Sequence, residues 1–153
     1  LFDSDSTTVT NNFFGKVEQA LSSRVNTSRN LHGRPLTSND NVFANNIIYQ
    51  PGKHLRIDSK QNASDYNIFV SGWDNWLDEW QDEGWDQNSL QVEMMAYFNA
   101  AKRELSLDMT EQFRLENQTS IPVVLDYWGM KRTEQVPGPF FIQSQNNITL
   151  KLK

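Results

Sequence analysis

The C-terminal third of the chain alternates apolar and polar residues with a period of two, the pattern of a strand with one buried face. Four such runs follow Arg103, at 105–109, 113–115, 121–127 and 148–152. Turn-forming residues lie between them. Short alternating strands joined by polar turns are typical of two sheets packed face to face. We therefore predict a strand-rich α+β fold, an antiparallel β-sandwich with one to three helices.

Three segments predict those helices, at about 12–25, 73–83 and 88–101. Apolar side chains recur every three or four residues in the first of them, at Phe14, Val17, Leu21 and Val25. The third segment fits both a helical stripe and a strand alternation, and Asn88 followed by Gln91 resembles a capping box that favours the helix.

The middle of the chain predicts a hairpin and one further strand. Residues 42–49 and 54–57 flank a Pro-Gly turn at 50–53, and 66–70 reads as a short strand. No internal repeat of solenoid length is detected, so a repeat architecture is not expected.

Length and composition exclude several classes of protein. A chain of 153 residues is long enough for one domain, which we place at 11–153 after an extended polar arm at 1–10. The absence of cysteine excludes disulfide scaffolds and thiolate chemistry. A net charge of −5 argues against direct binding of nucleic acid, and no apolar stretch is long enough to predict a membrane span.

Segment 72–86 is the most unusual part of the sequence, because it combines four of the five tryptophans with six carboxylates and no cation. A helix over 73–83 would place Trp73, Trp76 and Trp80 on one face. One interpretation is an amphipathic helix that docks its indoles on the core. The other is an exposed anchor for a protein or a glycan. The candidate binding residues are Trp73, Trp76, Trp80, Trp85, Asp78 and Asp82.

The sequence contains none of the common catalytic or phosphate-binding motifs. His32 and His54 share no motif with a nucleophile or a metal partner. The carboxylates of 72–86 lack the spacing of a calcium loop. We therefore expect no enzyme activity, no cofactor and no metal site, with a small carboxylate-dependent hydrolase as an alternative.

Four sequons indicate a surface exposed outside the cell, although chance accounts for some of them in a chain so rich in Asn. They begin at Asn26, Asn62, Asn117 and Asn147.

Residues 113–132 contain a strand, an Asn-Gln-Thr-Ser turn and a second strand that ends near Tyr127, Lys131 and Arg132. This run resembles the strand pair of small-virus jelly-roll coat or projecting domains. The resemblance covers about 20 residues of the 153, and it implies a β-sandwich and a place in a virion.

Taken together, these features predict a non-enzymatic structural or recognition domain on the outside of a particle or a cell. The expected partners are proteins or further copies of the chain. A glycan- or protein-binding module that uses the segment 73–86 is the second hypothesis.

Overall fold

The structure is a computed structural model that describes residues 5–70, 76–109, 125–131, 138–139 and 147–152. Within these ranges it contains fourteen strands and one α-helix. The strands are β1 (Thr8–Thr10), β2 (Phe13–Gly15), β3 (Ser22–Ser23), β4 (Asn26–Leu31), β5 (Arg34–Leu36), β6 (Val42–Ala44), β7 (Ile47–Tyr49), β8 (Arg56–Ile57), β9 (Ala63–Asp65), β10 (Ile68–Val70), β11 (Leu90–Val92), β12 (Met94–Asn99), β13 (Glu104–Met109) and β14 (Asn147–Lys151). The helix is α1 (Trp76–Asp82).

The first eleven strands, apart from a hairpin formed by β4 and β5, build three parallel sheets. Sheet A pairs β3 with β8, sheet B has the order β1-β6-β9, and sheet C has the order β11-β10-β7-β2. The chain passes from sheet B to sheet C to sheet A and then returns to sheet B one layer further along. This path is a parallel β-solenoid, in which each coil pairs with the coils before and after it.

Side chains from all three sides of the coil fill the interior of the solenoid. Phe43 of sheet B, Ile48 and Phe69 of sheet C, and Leu21 and Leu55 near sheet A form one buried cluster. Helix α1 adds apolar side chains to the same cluster, at Leu77 and Trp80. The helix therefore covers the last coil, where a solenoid without a cap would expose its interior.

Strands β12, β13 and β14 form a separate antiparallel sheet, sheet D, with β13 in the centre. Its apolar face packs on the side of sheet C that points away from the solenoid interior. The buried residues of this second cluster are Ile47, Tyr49, Ile68, Val70, Met94, Leu105, Leu107 and Leu150. The central strands of sheet C, β7 and β10, are therefore buried on both faces, which is typical of parallel sheets.

The prediction of an antiparallel β-sandwich is wrong, because most of the sheets are parallel. The prediction that no solenoid repeat exists is also wrong, since Asn41 and Asn62, like Asn46 and Asn67, are partners in successive coils at a separation of 21 residues. The predicted hairpin over 42–57 is replaced by three strands that lie in three different sheets.

Two of the three predicted helices are wrong. Residues 12–25 contain β2 and β3, and the segment 88–101 contains β11 and β12. Phe14 and Leu21 have helical spacing because both contribute to the solenoid interior from different sides of one coil. Helix α1 lies within the remaining predicted segment, 73–83, of which 73–75 fall outside the described residues.

The remaining predictions concern the two ends of the sequence. Residues 8–10 of the predicted arm form β1, which pairs with β6; the division into an arm at 1–10 and a domain at 11–153 stays a prediction. The predicted strands 105–109 and 148–152 correspond to β13 and β14. The predicted strand at 113–115 and most of that at 121–127 lie outside the described residues.

Candidate functional site

A single residue in the left-handed conformation turns the chain from sheet B to sheet C in each coil. These residues are Asn11, Asn45 and Tyr66, with φ of 60°, 56° and 56°. Asn tolerates this conformation better than most residues. The chain therefore bends at the same place in each coil. The side chain of the residue that follows the bend points toward the equivalent residues of the neighbouring coils.

The residue that follows each of these turns is asparagine, and the three side chains form a ladder between coils. The backbone N–H and the Nδ2 of Asn12 both donate to Oδ1 of Asn46, at 2.9 and 3.1 Å. Asn46 donates to Oδ1 of Asn67 in the same way, at 2.9 and 3.2 Å. The ladder ends where the backbone N–H of Asn67 donates to the Ser89 hydroxyl. We call this set the B–C ladder.

A second ladder of hydrogen bonds joins the residues that come just before the strands of sheet B. The backbone N–H of Thr7 donates to Oδ1 of Asn41, and the backbone N–H and Nδ2 of Asn41 donate to Oδ1 of Asn62. Nδ2 of Asn62 donates to the Ser59 carbonyl and to the Ser23 hydroxyl. Buried amides that are paired in this way stabilise the stack, whereas unpaired ones would destabilise it.

Asp86 lies at the end of the B–C ladder and is fully buried. Its Oδ1 accepts hydrogen bonds from the Ser89 hydroxyl at 2.6 Å and from Nδ2 of Asn67 at 2.8 Å. Its Oδ2 accepts from the Ser64 hydroxyl at 2.6 Å and from the Trp80 indole at 2.8 Å. One carboxylate thus joins the B–C ladder, strand β9 and helix α1.

Burial raises the pKa of Asp86 above that of an ordinary aspartate, and the hydrogen bonds from Ser64, Ser89, Asn67 and Trp80 oppose that shift. A buried carboxyl with a raised pKa is a common general acid or base in enzymes. Here, however, four side chains of the fold occupy its two oxygens. The arrangement therefore holds the fold together and leaves little room for a substrate.

The tryptophans of the acidic segment form a row of stacked rings. Trp76 stacks on Trp80 at 5.1 Å between centroids, and Trp80 stacks on Trp85 at 5.6 Å. The ring of His54 covers Trp76 at 4.7 Å, and Nζ of Lys60 lies 4.5 Å from the ring centroid of Trp85. Such a row stabilises the cap through aromatic and cation–π contacts.

The predicted binding residues occupy different environments. Trp80 and Trp85 are buried and Trp76 is partly buried, while the carboxylates of Asp78 and Asp82 are exposed on α1. Trp73 lies outside the described residues. The burial of Trp80 and Trp85 favours the interpretation of a helix docked on the core, and a ligand-binding role for the six residues stays a prediction.

Of the four sequon asparagines, only the side chain of Asn62 is described. It is buried, and its amide group takes part in the second ladder. The side chains of Asn26, Asn117 and Asn147 fall outside the described part of the structure.

The sheet D face that points away from sheet C exposes large apolar side chains. Met95 and Tyr97 of β12 are 73% and 67% exposed on this face, and Phe98, on the opposite side of the same strand, is 54% exposed. Across β13 they have polar neighbours, since Met95 pairs with Asp108 and Tyr97 with Ser106. Clustered apolar side chains at the surface often mark sites of protein–protein contact.

Other kinds of site have less support. Among the described residues, no three carboxylates or histidines lie close enough together to hold a metal ion. None of the helices in these ranges is long and apolar enough to cross a membrane. The ion pairs Glu18–Lys53 and Asp58–Arg56 lie at the surface.

Comparison with known proteins adds no identification: no family model matches the chain, and neither the curated proteins nor the solved structures contain a significant match.

Neither the ladders nor the role of Asp86 was predicted from the sequence. The signal for the B–C ladder was present as a repeated pattern of two apolar residues after an asparagine, at 12–14, 46–48 and 67–69. The spacing from the first to the second is 34 residues and from the second to the third is 21. The hairpin of β4 and β5 lies within the longer interval, so no single period appears.

Proposed function

We propose that this protein is a non-enzymatic structural or recognition domain that works on the outside of a particle or a cell. The observation that supports this proposal is that the solenoid and sheet D differ in what they bury and what they expose. In the solenoid, the buried amides of Asn41, Asn46, Asn62 and Asn67 and the carboxylate of Asp86 form hydrogen bonds within the fold, while sheet D exposes Met95 and Tyr97.

In this proposal the solenoid is the rigid support and sheet D provides the contact with a protein partner. Parallel coils joined by buried amide hydrogen bonds resist deformation. Interfaces are enriched in aromatic residues and methionine and are poor in charged residues at their centre, as β12 is. The location outside the cell rests on the sequence alone.

The hypotheses of a hydrolase and of a glycan-binding segment have weaker support. The hydrolase hypothesis predicts a carboxyl with a raised pKa in a cleft, among the acidic residues of 74–86. Asp86 has a raised pKa but is enclosed by four hydrogen-bond donors, while Asp78 and Asp82 lie exposed on α1. A glycan-binding platform needs an open aromatic face. In the described part of the acidic segment, two of the three indoles are buried.

Beads coated with the purified protein would test the proposal. We expect the beads either to cluster with each other or to adhere to cells, and the substitution pair Met95→Ser and Tyr97→Ser to reduce that effect at least fivefold. Met130→Ser is the matched control, because Met130 is 66% exposed and lies outside sheet D. Beads that neither cluster nor adhere, or turnover of a substrate by the purified protein, would contradict the proposal.

A further inference from the structure

The hairpin formed by β4 and β5 lies between the first and second coils of the solenoid and forms a two-stranded sheet of its own among the described residues. His32 and Gly33 make its two-residue turn, with φ of 51° and 80°, the positive values that a type I′ turn requires. Asn30, His32, Gly33 and Arg34 are exposed, and we call them the hairpin tip. A two-stranded hairpin is only marginally stable by itself in water, so contact with a partner would stabilise it.

The hairpin belongs to a basic segment of an acidic chain. Residues 19–39 contain three arginines and His32 but no Asp or Glu, whereas the whole chain has a net charge of −5. Two of these arginines lie in the hairpin, Arg29 in β4 and Arg34 in β5. The hairpin therefore carries positive charge and no carboxylate of its own.

The outer face of sheet D, which carries Met95 and Tyr97, combines exposed apolar side chains with negative charge. The register with β13 places the exposed Asp108 opposite Met95 and therefore diagonal to Tyr97. Glu104 lies opposite Lys151 of β14, which balances its charge. Diagonal neighbours in a sheet are about 7–8 Å apart, so one long side chain can contact both Tyr97 and Asp108. A guanidinium suits both contacts, because it stacks on aromatic rings and pairs with carboxylates.

The hairpin and the outer face of sheet D lie on opposite sides of the solenoid. The hairpin connects β3 of sheet A to β6 of sheet B. Sheet D packs on the outer side of sheet C, across the solenoid interior from that corner. A contact between the two surfaces therefore needs two copies of the chain.

We infer that the hairpin tip of one copy binds the outer face of sheet D of a second copy, with Arg34 on the ring of Tyr97 and beside the carboxylate of Asp108. The inference rests on the proposed function, because it names a second copy of the chain as the protein partner of sheet D. The contact joins two different surfaces, so each pair of copies leaves one surface of each kind free and assembly continues from copy to copy. Added salt weakens the assembly, because it screens the attraction between exposed charges.

Two complementary variants test this contact. The hairpin variant carries Arg29→Glu and Arg34→Glu, and the face variant carries Tyr97→Ser and Asp108→Asn. By light scattering, the wild type should exceed twice the mass of one chain as its concentration rises, while each variant alone should stay monomeric. An equimolar mixture of the variants should form a complex of two chains and no more, because each variant keeps one working surface. A folding defect could not produce that complex.

The matched control is the pair Lys16→Glu and Lys131→Glu, because both lysines are exposed outside the hairpin and the net charge changes by the same amount. This control should assemble as the wild type does. A hairpin variant that assembles like the wild type, or a wild type that is monomeric at every concentration, would overturn the inference. If wild-type beads adhere to cells while the protein stays monomeric, the inference is wrong and the proposed function stands.

Discussion

Trp80 donates its indole N–H to Oδ2 of Asp86 at 2.8 Å, and this bond joins helix α1 to the end of the B–C ladder. The same carboxylate accepts from Asn67, which belongs to the ladder itself. The cap and the stack therefore share one buried acceptor. Substitutions at either residue should affect the stability of both.

Trp80→Phe keeps an aromatic ring at this position but removes the indole N–H that donates to Asp86. We expect the free energy of unfolding to fall by about 2–4 kcal/mol, because Asp86 would lose a hydrogen bond in a buried site and the smaller ring would leave a space. Urea unfolding followed by circular dichroism measures this loss. A change below about 0.5 kcal/mol would show that the bond does not hold the cap.

Asp86→Asn should destabilise the protein although the two side chains have the same shape. Each oxygen of Asp86 accepts from one N–H group that can only donate, Asn67 Nδ2 at Oδ1 and Trp80 Nε1 at Oδ2. Either orientation of the new amide places its NH₂ against one of these donors. Urea unfolding at constant pH should show a loss of about 2–4 kcal/mol.

The pH dependence of that loss has a defined sign. Burial raises the pKa of Asp86, so the folded protein holds this proton more tightly than the unfolded chain. The resulting stability is present at acid pH and is lost as the pH rises through the folded pKa. The stability difference between wild type and Asp86→Asn should therefore be larger near about pH 4 than near about pH 8. A difference that grows with pH would show that the four donors outweigh burial.

Asn67→Ala removes a complete step of the B–C ladder. It leaves the backbone N–H of Asn46 without its partner and removes one of the two donors to Oδ1 of Asp86, and we expect a loss of about 2–4 kcal/mol. Asn88→Ala is the matched control, because Asn88 is exposed and donates to Asp65 at the surface of the fold, where its loss leaves no buried group unpaired. It should cost less than about 1 kcal/mol. Equal losses in denaturant titrations of the two variants would argue against the ladder.

The sequon at Asn62 should carry no glycan in folded protein. Its side-chain oxygen accepts from Asn41 and its nitrogen donates to Ser59, so an attached sugar would break the second ladder. Glycopeptide mass spectrometry of protein secreted from eukaryotic cells measures the occupancy of this site. A glycan at Asn62 in protein that unfolds at the same urea concentration as the unglycosylated form would contradict the burial of this side chain.

The sequence predicted several of the strands, but not the parallel pairing of those in the solenoid. Strands β13 and β14 alternate because one side of sheet D packs on sheet C and the other faces water. Strand β7 is buried on both faces, so it shows no alternation and its parallel partners cannot be inferred from it. Parallel pairing joins residues that are distant in sequence, which local patterns do not report.

The site was predicted less well than the fold, and for a related reason. The concentration of Trp in 72–86 drew attention to the segment that contains α1 and Asp86, but amphipathicity does not say whether an indole faces the core or a partner. Trp80 and Trp85 proved buried. Conversely, Met95 and Tyr97 are exposed, and Tyr97 was one of the residues that made 88–101 resemble the apolar face of a helix.

The measurement that tests the proposed function most directly is the adhesion of beads coated with wild type or with the Met95→Ser, Tyr97→Ser variant. Wild-type beads should cluster with each other or adhere to cells, because Met95 and Tyr97 are exposed on sheet D. The variant should unfold at the same urea concentration and should lose most of that adhesion. Equal adhesion of the two proteins would contradict a role for the exposed face of sheet D.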